Sequence, residues 1–428
     1  MGYLELLRSQ PAFRRLWLGQ VVSEMGDWLQ LIALVGLFPT TGRAAEALAG
    51  LFIVRMLPSA VWAPLAGVVA DRYPRGRVMV ACDLLRALIV LGYLLVRGPE
   101  DAWLVYVLAF AQESLTSFFE PARAAALPQV VERRALLAAN SLAGATWSAM
   151  LALGSALGGL IAALLGPRAA FLVDAASFLL SAVFIAGVPI PRVEPTAEAA
   201  AAPSDPFGIA ALREGVRYLG QHTPQAATAM VKGLWGLSGG VVFLFAVYAA
   251  EVFTPKGRSS ARALGILYTG RGLGALVGPL IFHRIWGDSA RSLRRSIQIG
   301  FVLAMIGITA LITAGSATVG AMFLVVAHAG GSTCWVCSTQ LLQLTVPNAL
   351  QGRVFAVEQG VLTLTMGLSS GVAGLLIGHA ITGIHGATLM LAGAAGLSAT
   401  VWWTAMRRLG ARLDAAAAEH EPLLPSGR

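Results

Sequence analysis

Ionisable residues inside the long apolar runs of this 428-residue sequence each need a chemical reason, and those nearest the middle of their runs are Glu24, Asp27, Arg55, Glu113 and Arg271. Glu24 and Asp27 are three positions apart and would share one face of a helix. Counting ~1.5 Å per residue from Arg15 puts Glu24 near the middle of its run and Asp27 one turn beyond. Two carboxylates so placed can take up and release protons. They can equally form a buried pair neutralised by Arg55, which the same count puts near the middle of the next run. Glu113 lies midway along a fourth run and can face a central cavity, with Glu120 on the same side. Glu120 and Arg123, spaced i,i+3, read as a structural pair at the end of that run. Asp83 and Arg86, one turn apart, read as mutually neutralising. Arg271, within Tyr268-Thr-Gly-Arg-Gly-Leu-Gly274, can counter an anionic substrate group or a carboxylate of the first run, or pair structurally. Lys232, near the inner end of its run, reads as a cation snorkelling to the interface.

The elements that carry these groups follow from composition. The chain is 57% hydrophobic and 12% charged, about half the charged share of an ordinary soluble domain, which excludes a soluble globule. Twelve runs are bounded by charge, Gly or Pro: 15–38, 46–70, 78–97, 102–124, 136–165, 168–188, 226–250, 262–286, 295–314, 317–345, 355–380 and 385–406. Each has the length of a membrane-crossing helix, about 20 residues, and lipid leaves open strands no hydrogen-bond partners. With a cytoplasmic N-terminus, 20 of the 31 Lys and Arg fall inside, six outside and five within spans, so both termini are expected to be cytoplasmic. The net charge of +9 is spread over short loops and forms no single basic face, against a nucleic-acid partner. The first 15 residues are polar-rich, and the run after them lacks a small-residue cleavage site, so the first helix is expected to be retained.

Residues 189–225 separate two sets of six runs. They open as a Pro/Ala/Glu-rich linker and continue as an amphipathic stretch in which Phe207, Ile209, Leu212, Val216 and Leu219 form one face of a membrane-surface helix. Weak echoes between the halves, such as Pro128 after the fourth run and Pro347 after the tenth, suggest duplication. The tail from 413 reads as disordered. Gly236-Leu-Ser238-Gly-Gly240 and Gly367-Leu-Ser-Ser-Gly371 imitate a hydrolase nucleophile turn but sit in apolar helices, where small residues four apart serve close packing. Cys334-Trp-Val-Cys337 has no second pair or ligand histidine, and Cys82 completes a set of three cysteines confined to apolar runs, so neither a metal site nor a disulfide framework is expected. No Walker lysine motif occurs, which removes ATP as direct energy source and leaves an ion gradient.

Gly67-Val-Val-Ala-Asp71-Arg72-Tyr-Pro-Arg75-Gly-Arg77, between the second and third runs, resembles the signature of the major facilitator superfamily. Further segments resemble its branch of enterobactin, macrolide and lysophospholipid transporters: Pro11-Ala-Phe-Arg-Arg15, Gly26-Asp27-Trp28, Asp83-Leu-Leu-Arg86, the stretch from Phe119 to Pro128, Asp174-Ala-Ala-Ser-Phe178 and Gly352-Arg353-Val354. The resemblance implies a cytoplasmic gate of Gly67, Asp71, Arg72, Arg75 and Arg77, in which the glycine allows close helix approach and Asp71 caps a helix N-terminus. It also implies a functional Asp27 and an antiporter-like fifth helix carrying Gly154, Gly158 and Gly159, although Ser155 stands where Pro is usual. The fourth run departs from proton-driven relatives in presenting Gln112-Glu113 where many carry Arg, and His283-Arg284 replaces Asp-Arg in the second half.

The expectation is therefore an all-α membrane protein with twelve transmembrane helices in two pseudo-symmetric halves, 1–188 and 226–412. Such a chain would be a monomeric, cofactor-free secondary transporter of the plasma or inner membrane, coupling protons to export of a lipophilic or amphiphilic small molecule and touching membrane lipid. A lysophospholipid flippase of the same superfamily is the alternative; an intramembrane lipid enzyme has no catalytic constellation to support it.

Overall fold

The structure, a computed structural model, describes residues 3–35, 37, 44–132, 135–190, 209–255, 259–287 and 289–420; within its helices the surroundings of certain residues, including Gly67, Asp71 and Arg72, lie outside the described set. The regular structure of the described residues is helical, with no strand among them. In chain order the helices are α1 Tyr3–Ser9, α2 Pro11–Val35, α3 Ala44–Arg72, α4 Arg75–Gly92, α5 Ala102–Val130, α6 Leu136–Leu165, α7 Pro167–Ala186, α8 Ile209–Gln221, α9 Thr223–Gly236, α10 Val241–Val247, α11 Ala261–Trp286, α12 Ala290–Ala310, α13 Ala317–Thr345, α14 Asn348–Gly378 and α15 Ile384–His420. Ten helical stretches are long and apolar enough to cross a membrane. The 25-residue α2, with Arg14, Arg15, Glu24 and Asp27, and the 29-residue α3 are long enough to span as well, consistent with twelve crossings.

Local chemistry explains several boundaries. Ser289 and Ser316 cap α12 and α13, accepting backbone N–H bonds from Ser292 and Val319 at 3.2 and 3.3 Å. Gly166, at φ +82°, turns the chain between α6 and α7 in a conformation that a side chain rarely adopts, and Pro167 then starts α7 where no N–H is needed.

The expected helix over 226–250 is broken: α9 ends at Gly236, a turn leads to α10, and five π-helical residues follow from Tyr248 to Val252. Ser369 of α14 repairs the backbone at this break. Its hydroxyl accepts from the Gly240 N–H at 2.9 Å and donates to the Gly236 carbonyl at 2.8 Å. A break at membrane depth survives only when such groups are satisfied within the protein.

The tail expected to be disordered from 413 is instead helical through His420. Leu413 is fully buried, and Asp414 accepts from Arg294 at 3.1 and 2.5 Å, which extends α15 beyond the membrane-length segment. The amphipathic stretch forms α8, but its apolar face divides. Leu219 is buried, while Ile209, Leu212 and Val216 are exposed; Phe207 lies outside the described residues. Gly215 lets α8 approach α14 so closely that a Cβ there would sit 2.6 Å from the Arg353 carbonyl oxygen, and Arg353 pairs with Glu214 across the same contact.

The chain forms two compact units. The first holds residues 1–208 with 246–269, and the second holds 209–245 with 270–428.

Candidate functional site

In the first unit α2 carries its polar residues against close-packed neighbours. Glycines permit the approach: a Cβ on Gly158 would lie 2.8 Å from the Leu29 Cα, and one on Gly154 would lie 2.9 Å from both the Met25 carbonyl oxygen and the Trp28 Cβ. Gly159 instead meets the start of α11, where its Cβ would fall 2.8 Å from the Ala261 carbonyl oxygen. A side chain at Gly26 would overlap Asp174 and Ser177 of α7. Backbone is thereby brought close to neighbouring helices, and polar side chains of α2 lie between packed helices.

Asp27 opens onto an amide pair. Gln30 and Gln112 exchange hydrogen bonds at 2.8 and 3.0 Å, both fully buried, and Gln112 Nε2 also reaches Asp27 Oδ1 at 3.5 Å. The Tyr93 hydroxyl donates to Gln112 Oε1 at 3.4 Å while its ring stacks on Phe171 at 5.3 Å. Glu24 is held apart from this group. It accepts from Gln20 Nε2 at 2.8 Å, and Gln20 in turn accepts from Arg123, which pairs with Glu120 at 2.7 Å. Glu24 and Asp27 thus share a helix face and answer to different partners.

Arg55 serves neither of them directly. Its Nη2 lies 2.5 Å from Glu113 Oε1, each side chain 19% exposed. Asp83 and Arg86 form an ion pair with side chains 0% and 2% exposed; Ser181 donates to the second Asp83 oxygen at 2.7 Å. The Arg86 guanidinium lies 4.4 Å from the ring centres of both Phe119 and Phe178, a double cation–π contact between residues far apart along the chain.

Asp174, noted above only for its resemblance, is a fully buried carboxylate beside Gly26. Ser177 donates to its Oδ1 at 3.2 Å, whereas its Oδ2, like Glu24 Oε2, is buried with no hydrogen-bond partner among the described residues. Burial of a carboxylate with an unmet oxygen is costly and marks groups able to accept a proton or a ligand donor.

At the loop between α3 and α4, Arg75 donates to the Ala70 and Ala125 carbonyls at 3.2 and 2.9 Å, tying the ends of α3 and α5 together, and Arg77 is exposed. The side chains of Asp71 and Arg72 lie outside the described residues.

The second unit contains Arg271, half-buried on α11. It also corrects the expectation for Lys232, which does not snorkel. The Lys232 ammonium lies 2.8 Å from Glu358 of α14, with side chains 7% and 2% exposed. Glu358 follows Gly352-Arg353-Val354 by one to two turns, and a lysine and a glutamate 126 positions apart give no local sign that they meet.

The chain is similar to known proteins along most of its length. The model of a family described as transmembrane secretion effectors matches residues 6–425. An uncharacterized MFS-type transporter of Mycobacterium tuberculosis is 28% identical over 421 residues, covering 90% of each chain. A Bacillus subtilis protein named as a bacilysin exporter is 24% identical over 376 residues, 88% of this chain and 91% of that one. Macrolide efflux protein A of Streptococcus pyogenes is 24% identical over 225 residues, 52% of this chain and 55% of that one. Among solved structures, a nucleoside transporter superposes with a TM-score of 0.70 at 14% identity, covering 92% and 99% of the two chains. A bacterial homologue of the iron transporter ferroportin gives 0.66 at 17% identity, covering 93% and 99%. At these identities the structural likeness concerns the fold.

Proposed function

Because this chain belongs to the transmembrane secretion effector family of the major facilitator superfamily, a family of multi-pass membrane transporters, we propose that it is a proton-coupled exporter of a lipophilic or amphiphilic small molecule. The observation that carries the coupling is the set of carboxylates held among the helices of the first unit, the half-buried Glu24 and Asp27 and the fully buried Asp174, of which Glu24 and Asp174 each keep one buried oxygen without a hydrogen-bond partner among the described residues. Charged groups are retained inside a membrane when they are used. Exchange of protons at these carboxylates biases the protein between inward-open and outward-open states, and the Arg55–Glu113 pair supplies a neighbouring charge that responds to them.

The Gly67–Arg77 segment, which spans the junction of α3 and α4, closes the cytoplasmic side, with both termini cytoplasmic and the protein acting as a monomer in the plasma or inner membrane. Relatives named for bacilysin export and macrolide efflux support a secondary metabolite as cargo.

The test is transport of a radiolabelled macrolide into everted vesicles carrying the full-length protein. Accumulation should follow an imposed proton gradient and collapse with an uncoupler. Accumulation that survives the uncoupler would overturn the coupling and leave the flippase as the better account.

A further inference from the structure

The Lys232–Glu358 pair belongs to the second unit, and aromatic rings surround its ammonium. The ammonium contacts Glu358 Oε2 at 2.8 Å and lies 4.4 Å from the ring centre of Trp335 on α13 and 5.9 Å from that of Phe355 on α14. Trp235 meets Trp335 edge to face at 6.4 Å, extending the aromatic wall. The other oxygen of Glu358, Oε1, is buried with no hydrogen-bond partner among the described residues, in a side chain 2% exposed. Its carboxylate therefore keeps acceptor capacity that Lys232 does not use.

A purely structural clamp would not need this arrangement. The register of α9 against α14 is already fixed by close contacts. A Cβ on Gly233 would lie 2.5 Å from a Val361 methyl group, Gly236 is pressed against Thr365, and Ser369 bridges the chain break. A carboxylate beside aromatic faces is the chemical complement of an organic cation, the one supplying charge and the other a negative ring face. Lys232 is a cation already in place, on a flexible stem. Trp335 is 40% exposed, so the aromatic wall reaches the surface of the unit.

We infer that Glu358, Trp335 and Phe355 form a receptor for the cationic group of an amphiphilic cargo, an ammonium or a comparable organic cation, and that Lys232 is a tethered competitor occupying the receptor when cargo is absent. The inference deepens the exporter reading by naming the charge class of the cargo. Its test measures binding alone, so it stands or falls separately from transport.

The full-length protein in nanodiscs is titrated with tetraphenylphosphonium by equilibrium dialysis, with thermal melting as a check of folding. Replacing Lys232 by Met removes the competitor and should tighten binding about tenfold or more, since apparent affinity is reduced by the fraction of time the site is occupied from within. Glu358→Gln should abolish the binding, and the double variant K232M/E358Q should show none of the gain. A folded K232M that binds no tighter than the unmodified protein overturns the proposal, as does a gain that persists in the double variant. If K232M does not fold, W335L carries the test with the ion pair intact: binding weakened about tenfold supports the receptor, and unchanged binding overturns it.

Discussion

Arg55 of α3 and Glu113 of α5 meet at 2.5 Å, so the arginine that the sequence offers as partner for the carboxylates of α2 is taken by a carboxylate of another helix. Asp27 is left to the weaker company of Gln112, at 3.5 Å. This division separates a charge-compensated pair from a carboxylate whose hydrogen-bond neighbour is an amide, and it orders the expected effects of substitution.

Asp27→Asn preserves shape and a hydrogen-bond acceptor toward Gln112 while removing the titrating group. The variant should fold normally and lose most proton-driven accumulation, roughly tenfold or more. Everted-vesicle transport with and without an imposed gradient checks this; unchanged gradient-driven accumulation would remove Asp27 from coupling.

Glu113→Gln leaves Arg55 without its counter-ion at a site only 19% exposed. Removing one partner of such a pair is destabilising, toward the lower side of ~3–5 kcal/mol for a fully buried one, because part of the charge can be solvated. The melting temperature in detergent should fall, and replacing Arg55 by Met in the same chain should restore much of the loss. A double variant no more stable than E113Q would show that the pair is not the source of the effect.

Arg86→Met should be more damaging. Asp83 would stay fully buried with Ser181 as its remaining hydrogen-bond donor, and two phenylalanine faces would lose their cation. A cost of ~3–5 kcal/mol follows from an uncompensated buried charge. The expected readout is a large drop in folded yield, partly rescued by adding Asp83→Asn.

Gly26→Ala places a methyl group onto Asp174 and Ser177. Overpacking of this kind costs ~1–3 kcal/mol. Thermal unfolding should show it, and Gly144→Ala, which meets nothing within 4 Å, should be close to neutral.

Ser369→Ala would strip both hydrogen bonds from the break between α9 and α10. Leaving the Gly240 N–H and the Gly236 carbonyl unmet should destabilise by ~1–3 kcal/mol for each group. Ser369→Thr, which keeps the hydroxyl, should retain most of the stability if the added methyl group is accommodated.

What the sequence determined by itself is what depends on neighbours along the chain. An excess of apolar residues in membrane-length runs dictates helices, because lipid offers the backbone no partners. The pairs Asp83–Arg86 and Glu120–Arg123 are legible for the same reason: one helical turn holds both partners, whatever surrounds them.

Tertiary structure alone decided the rest. Arg55 chose Glu113 over α2, Lys232 met Glu358 across 126 positions, and Ser369 came to mend a break that the apolar run concealed. Leu413 and Asp414 turned an expected tail into helix by finding partners on another helix, as Asp414 did with Arg294. Each outcome depends on which helix faces are pressed together, and local hydropathy and spacing carry no record of that choice.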